Sequence, residues 1–172
     1  TPNFVANRIG VFAVFDVIRV MREMELTVED IDFLTGPLIG HPKSATFRTA
    51  DLVGLDTFVH VAGNVYEGCP DDESREDFRP PDVMLQMVEK NILGEKSGGG
   101  FYRRVKDEKG KKSIETLDLN SLDYRAKQKA KFPEVETVRN LEELAERLPA
   151  LVAAKGRAAE FTWKTASRLF QY

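Results

Sequence analysis

The chain has 172 residues, 42% of them hydrophobic, and a formal net charge of -3 at pH 7 with acidic and basic residues interspersed. That length buries a core in one or two small domains without covalent staples, and the charge balance argues against a nucleic-acid binder, which presents a basic face. Cys69 is the only cysteine, which excludes an intrachain disulfide and a cysteine-based metal site and is compatible with an intracellular, cytoplasmic setting.

The segment Phe4 to Met24 lacks proline and has one charged residue, Asp16, between Ile9 and Ile18. It predicts a helix apolar on every side, which must be covered by its own chain and by a neighbouring domain or subunit. The uninterrupted apolar run Ile9 to Phe15 is far short of the roughly 20 residues that span a bilayer. Thr27 to Asp30 reads as a capping box that opens a short helix, Val28 to Leu34, ended by Gly36 and Pro37. After a loop from Gly36 to Ser44, the spacing of Leu52, Leu55, Val59, Ala62 and Tyr66 predicts one long amphipathic helix from Thr46 to Gly68, weakened at Gly54 and Gly63. The acidic, proline-bearing stretch Cys69 to Pro81 reads as an exposed loop. Pro81 then starts a helix to Leu93 with Met84, Met87 and Val88 inward.

Past Gly94 the period shortens. Phe101 to Val105 and Ser113 to Leu117 predict a small hairpin with a charged tip, turned at Gly110. Residues 117 to 133 read as linker. Leu141, Leu144, Ala145, Leu148, Leu151 and Val152 then trace one face of a helix kinked at Pro149, and a final helix from Ala158 to Tyr172 presents Phe161, Ala166, Leu169 and Phe170. The start at Thr1, without an initiator Met or signal peptide, suggests a fragment of a longer protein.

Three motifs stand out. The first is Pro-x-Phe-Val-x-Asn-Arg at Pro2 to Arg8, the second Asp-Leu-Val-Gly-Leu-Asp at Asp51 to Asp56, and the third Lys-Ser-Gly-Gly-Gly-Phe-Tyr at Lys96 to Tyr102. With the loop Gly36-Pro-Leu-Ile-Gly-His-Pro-Lys-Ser44, they make residues 1 to 104 resemble the C-terminal domain of the 3-hydroxyacyl-CoA dehydrogenases. The resemblance extends to the larger fatty acid β-oxidation members, some fused to an enoyl-CoA hydratase. It implies a mainly α fold of the 6-phosphogluconate dehydrogenase C-terminal-like type with a small β-hairpin, over 1–105. It further implies that 106–172 holds hairpin, linker and the start of a truncated second copy, opened by Phe161-Thr-Trp-Lys-Thr165.

The resemblance places Asn7 near the substrate and the catalytic His, where an amide holds the hydroxyl or carbonyl oxygen without titrating. An isolated Asn at a helix start would instead bond local backbone; the motif tips the reading to catalysis. His41 and Lys43 are the remaining substrate-binding candidates, in a loop where Lys43 and Ser44 replace the family's usual residues. Asp51 and Asp56 point in different directions on a helix and read as cap or surface groups, not as an acid/base pair. The glycines at 98 to 100 precede a strand-like run, so they read as a tight turn seating Phe101 and Tyr102, not as a phosphate loop. His60 reads as a helix residue.

The chain has no Gly-x-Gly-x-x-Gly after a strand and no candidate for the family's His-Glu base. NAD, base and Rossmann domain are therefore expected outside it, with no cofactor or metal in this segment. The implied partners are an acyl-CoA substrate, the protein's own Rossmann domain and a second copy in a homodimer, with no nucleic acid and no membrane span. Two other readings stay open: the helical half of another hydroxy-acid dehydrogenase with a lysine-centred site, and a helical interaction module without catalysis.

Overall fold

The computed structural model describes residues 4–106 and 110–172; Pro2 of the opening motif and positions 107–109 of the hairpin tip lie outside the described residues. The first helix, α1, spans Val5–Glu23 and buries Val11, Phe12, Phe15, Asp16, Val17, Ile18, Val20 and Met21. Because those positions include neighbours in sequence, they surround the helix instead of forming one stripe. The first turn differs: Phe4, Val5 and Ile9 are exposed. The short helix α2, Val28–Leu34, starts on the expected capping box, with Thr27 Oγ1 accepting from Asp30 N at 3.2 Å and Thr27 N donating to the Asp30 carboxylate at 3.0 Å.

The single helix expected over Thr46 to Gly68 is two, α3 at Phe47–Val53 and α4 at Leu55–Gly68. Gly54 breaks it with φ +97, and Leu55 N then donates out of the helix to Leu93 O at 3.0 Å. The break shifts the phase, so Leu55 and Ala62 are buried while Leu52 is 57% exposed. The stretch read as an exposed loop also turns inward, through a 3-10 turn over Arg75–Phe78 that buries Phe78 completely. Helix α5, Asp82–Glu89, buries Met84 and Met87 as expected but ends before Leu93, where Asn91 takes a left-handed backbone.

The hairpin forms between β1, Tyr102–Lys106, and β2, Lys112–Leu117, in the register Tyr102 with Thr116 and Val105 with Ser113. A third strand, β3 at Tyr124–Ala126, pairs with β2 inside the region read as linker, making a three-stranded antiparallel sheet. The chain continues through α6 at Val135–Val138, α7 at Leu144–Ala153 with Pro149 inside it, and α8 at Arg157–Gln171. Leu151 of α7 is fully buried, whereas Leu144 and Ala145 in its first turn are exposed.

Helix α8 runs back along α1. Lys164 meets Glu23 at 2.6 Å, Arg168 meets Asp16 at 2.8 Å and Tyr172 reaches Arg8. It thus supplies the cover that the all-round apolar helix required, burying Phe161 while leaving Phe170 84% exposed. One hydrophobic core runs from Val11 to Phe161, and β1 crosses the 105/106 position without dividing it.

Candidate functional site

Asn7 sits in the exposed first turn of α1. Its backbone N donates to Phe4 O at 2.8 Å, but among the described residues its side-chain amide has no hydrogen-bond partner. The role of a local cap is therefore not what the geometry displays. The amide is exposed, with both its donor and its acceptor open to solvent.

The turn that carries Asn7 is fixed by its neighbour. Arg8 forms an ion pair with Asp72, whose side chain is 1% exposed, and donates to Tyr172 Oη at 3.0 Å. Tyr172 Oη in turn donates to Asp72 at 3.1 Å, and its ring stacks on Phe12 at 4.4 Å between centroids. Two distant stretches thus meet one guanidinium. Its bond with Tyr172 is the main cause that raises the pKa of Arg8, and burial chiefly raises that of the Tyr172 phenol. About two turns farther along, the buried Asp16 faces Arg168 without an aligned hydrogen bond to either carboxylate oxygen; burial raises its pKa against the pull of Arg168 and Arg19. Sequence reasoning missed Arg8, Asp72 and Tyr172, although Arg8 is part of the opening motif.

His41 and Lys43 are not brought to Asn7. They lie in the loop after α2, and neither bonds Asn7 among the described residues. His41 is exposed, with Nδ1 3.1 Å from Thr35 O. Lys43 lines a cleft of about 930 Å3 between α2, the start of α3 and the sheet. His60 is an exposed residue of α4 bonded to Asn64 at 3.1 Å.

The second and third motifs form one structural unit. Asp51 is buried and accepts Phe101 N at 2.8 Å and Tyr102 N at 2.9 Å, so it is neither a cap nor a surface group. Burial, opposed by those two bonds, pushes its pKa up to about 6. A Cβ at Gly100 would collide with the Asp51 carboxylate, and one at Gly94 with the Asp51 backbone, which explains why the strand entry is glycine-rich. Asp56, by contrast, pairs with Lys96 at 2.5 Å, which chiefly lowers its pKa. At the 98–100 turn, Tyr124 Oη lies against Gly99 and bonds Gly100 O at 2.7 Å, and the Asp51 carboxylate fills the space beside Gly100, so these two glycines are packed into the fold. No group of three or more His, Cys, Asp or Glu side chains among the described residues could hold a metal ion. None of the described helices is long and apolar enough to cross a membrane.

Comparison with known proteins places this arrangement. Residues 4–104 match the model of the 3-hydroxyacyl-CoA dehydrogenase C-terminal domain. A Bacillus subtilis protein named "Probable 3-hydroxyacyl-CoA dehydrogenase" is 42% identical over 172 residues, all of this chain and 21% of that protein. A Deinococcus radiodurans protein of the same name is 48% identical over 115 residues, covering 67% of this chain and 32% of its own length. The chain therefore spans between a fifth and a third of these relatives. The crystal structure of FadB2 from M. tuberculosis superposes with a TM-score of 0.52 at 36% identity, over 59% of this chain and 34% of that one.

Proposed function

The chain belongs to the 3-hydroxyacyl-CoA dehydrogenase family through its C-terminal domain, and on that premise we propose that it forms the helical half of an enzyme oxidising (S)-3-hydroxyacyl-CoA to 3-ketoacyl-CoA. NAD, held outside this chain, is the oxidant, and fatty acid β-oxidation in the cytoplasm is the setting. The observation that carries the reading is Asn7, an outward-facing amide with no partner, in a motif shared with the family and on a turn pinned by Arg8, Asp72 and Tyr172.

In this reading the amide bonds the substrate's C3 oxygen. A neutral donor held in place stabilises that oxygen as its proton leaves and carbonyl character develops, with no change in its own charge. The clamp on Arg8 keeps the turn from fraying, which matters because displacing such a group by an ångström is costly to rate. Helix α8 completes the scaffold by covering α1, and we assign residues 106–172 to hairpin, linker and, from Phe161, the start of a truncated, degenerate second copy of the domain. The Rossmann domain of the same protein, and a second copy of the helical half, are the partners proposed for the exposed Phe4, Val5 and Ile9.

Spectrophotometric NADH formation from 3-hydroxyacyl-CoA substrates tests the proposal. Full-length protein turns over, while the 172-residue chain neither forms NADH nor binds NAD with micromolar affinity. Turnover by the chain alone, or none by full-length protein across short and long acyl chains, overturns it.

A further inference from the structure

At the far end of α1 from Asn7, the cleft that takes in Lys43 concentrates positive charge on a chain whose net charge is negative. Six cationic side chains line it against three carboxylates. The carboxylates are already committed. Glu29 receives both Arg125 nitrogens, at 2.7 and 2.9 Å, and Gln128 N at 2.8 Å; against the opposing effect of burial, these bonds hold its pKa at about 2. Asp32 accepts Phe47 N at 2.7 Å and Arg48 N at 3.2 Å, so it starts α3. Glu95 pairs with Arg48 and Arg104.

The rim is different. Lys43, Lys127 and Lys129 are exposed, and none has a carboxylate partner among the described residues. The Glu29 anchor on Arg125 and Gln128 fixes where Lys127 and Lys129 stand, and Lys127 Nζ lies 5.2 Å from the centre of the Tyr102 ring. Like charges around a concavity repel one another, and a polyanion entering it relieves that repulsion. Phe33 and Ile114 add an apolar wall on which a planar ring can lie, and the volume suits a nucleotide.

We propose that this cleft is a second ligand site, for the adenosine 3′-phosphate 5′-diphosphate end of a coenzyme A molecule, separate from the reaction centre at Asn7. The terminal 3′-phosphate adds about 1.5 to 2 negative charges beyond the diphosphate bridge that dinucleotides also carry, and three unpaired lysines answer that excess. The choice of coenzyme A among nucleotides rests on the acyl-CoA reading above; the presence of an anion site does not.

Titration calorimetry on the 172-residue chain decides it, with adenosine 3′,5′-bisphosphate, coenzyme A, NAD and inorganic pyrophosphate as probes. Coenzyme A and the bisphosphate bind, more tightly than NAD and pyrophosphate, and weaken as salt is raised. The combined variant Lys43→Gln, Lys127→Gln, Lys129→Gln, whose positions are outside the core, loses on the order of tenfold in affinity and keeps the parent melting temperature. No binding at millimolar probe, or affinity unchanged in the variant, overturns the site. Pyrophosphate or NAD binding as tightly as coenzyme A overturns the choice of ligand. The dehydrogenase reading fails separately, through absence of NADH formation by the full-length protein.

Discussion

The two ends of α1 handle charge in opposite ways. At the end that carries Asn7, Arg8 turns inward onto Asp72 and Tyr172, and about two turns on Asp16 meets Arg168. At the other end the arginines are paired, but Lys43, Lys127 and Lys129 stand around open space. A charge that has found its partner in the fold is scaffolding, because releasing it to a ligand would leave the partner desolvated and alone. Among the described residues, the Asn7 amide at the first end and Lys43, Lys127 and Lys129 at the second have no ionic or side-chain hydrogen-bond partner and are open to a ligand.

The sharpest way to break the helical end is Phe161→Ala, which removes the ring by which α8 buries itself against the core. It costs roughly 3 to 5 kcal/mol in urea unfolding. If α8 is a genuine cover for α1, the variant also associates, visible as concentration-dependent sedimentation. At the sheet end, Asp51→Asn leaves one of the Phe101 and Tyr102 N–H groups facing an amide NH2, and costs about 1 to 3 kcal/mol. Both losses are read from the unfolding midpoint at constant slope.

Titration sharpens the contrast at the sheet end. Glu29, held at about 2 in the fold against an ordinary value of 4.5, adds stability that is present above pH 4.5 and lost as pH falls through about 2. Asp51 has the opposite sign. Its folded pKa of about 6 exceeds the ordinary 3.8, so the fold holds a proton that the unfolded chain has released, and its contribution weakens as pH rises from about 4 to 6. Urea midpoints from pH 2 to 7 therefore rise and then fall. Arg125→Ala flattens the acid limb and Asp51→Asn the upper one. The smallest effect belongs to the clamp: Tyr172→Phe keeps the stack on Phe12 and removes the hydroxyl that joins Arg8 to Asp72, costing about 1 kcal/mol.

Much of the helical frame was legible because it is repetitive. The period of α1, the capping box of α2 and the inward Met84 and Met87 each repeat one signal over several residues. The misreadings fall where one residue decides. Gly54 lies inside an unbroken apolar period, so nothing local announced that its φ turns positive and splits the helix. Phe78 and Asp72 are single residues in an acidic stretch whose partners, Phe12 and Arg8, lie more than sixty positions away. Strand β3 has only three residues and takes its register from β2, not from its own pattern.

The candidate site divides the same way. Asn7 is singled out by its motif, and the glycines at 98 to 100 form the turn that the sequence predicts. The reason for that turn, a buried Asp51 pressed against Gly100, links positions about fifty apart and emerges only in the fold. Lys43 was singled out in the loop. Its company of Lys127 and Lys129 depends on the Glu29–Arg125 pair, which no local pattern reports.

Single-turnover kinetics of the full-length enzyme with Asn7→Ala test the central claim most directly, with 3-hydroxyacyl-CoA and NAD both saturating and thermal unfolding as control. If the unpartnered amide holds the reacting oxygen, the hydride-transfer rate falls by the equivalent of about 2 to 4 kcal/mol while acyl-CoA affinity and melting temperature stay close to the parent's. An unchanged rate, or a loss matched by a lowered melting temperature, returns Asn7 to the role of an ordinary helix-start residue and contradicts the account.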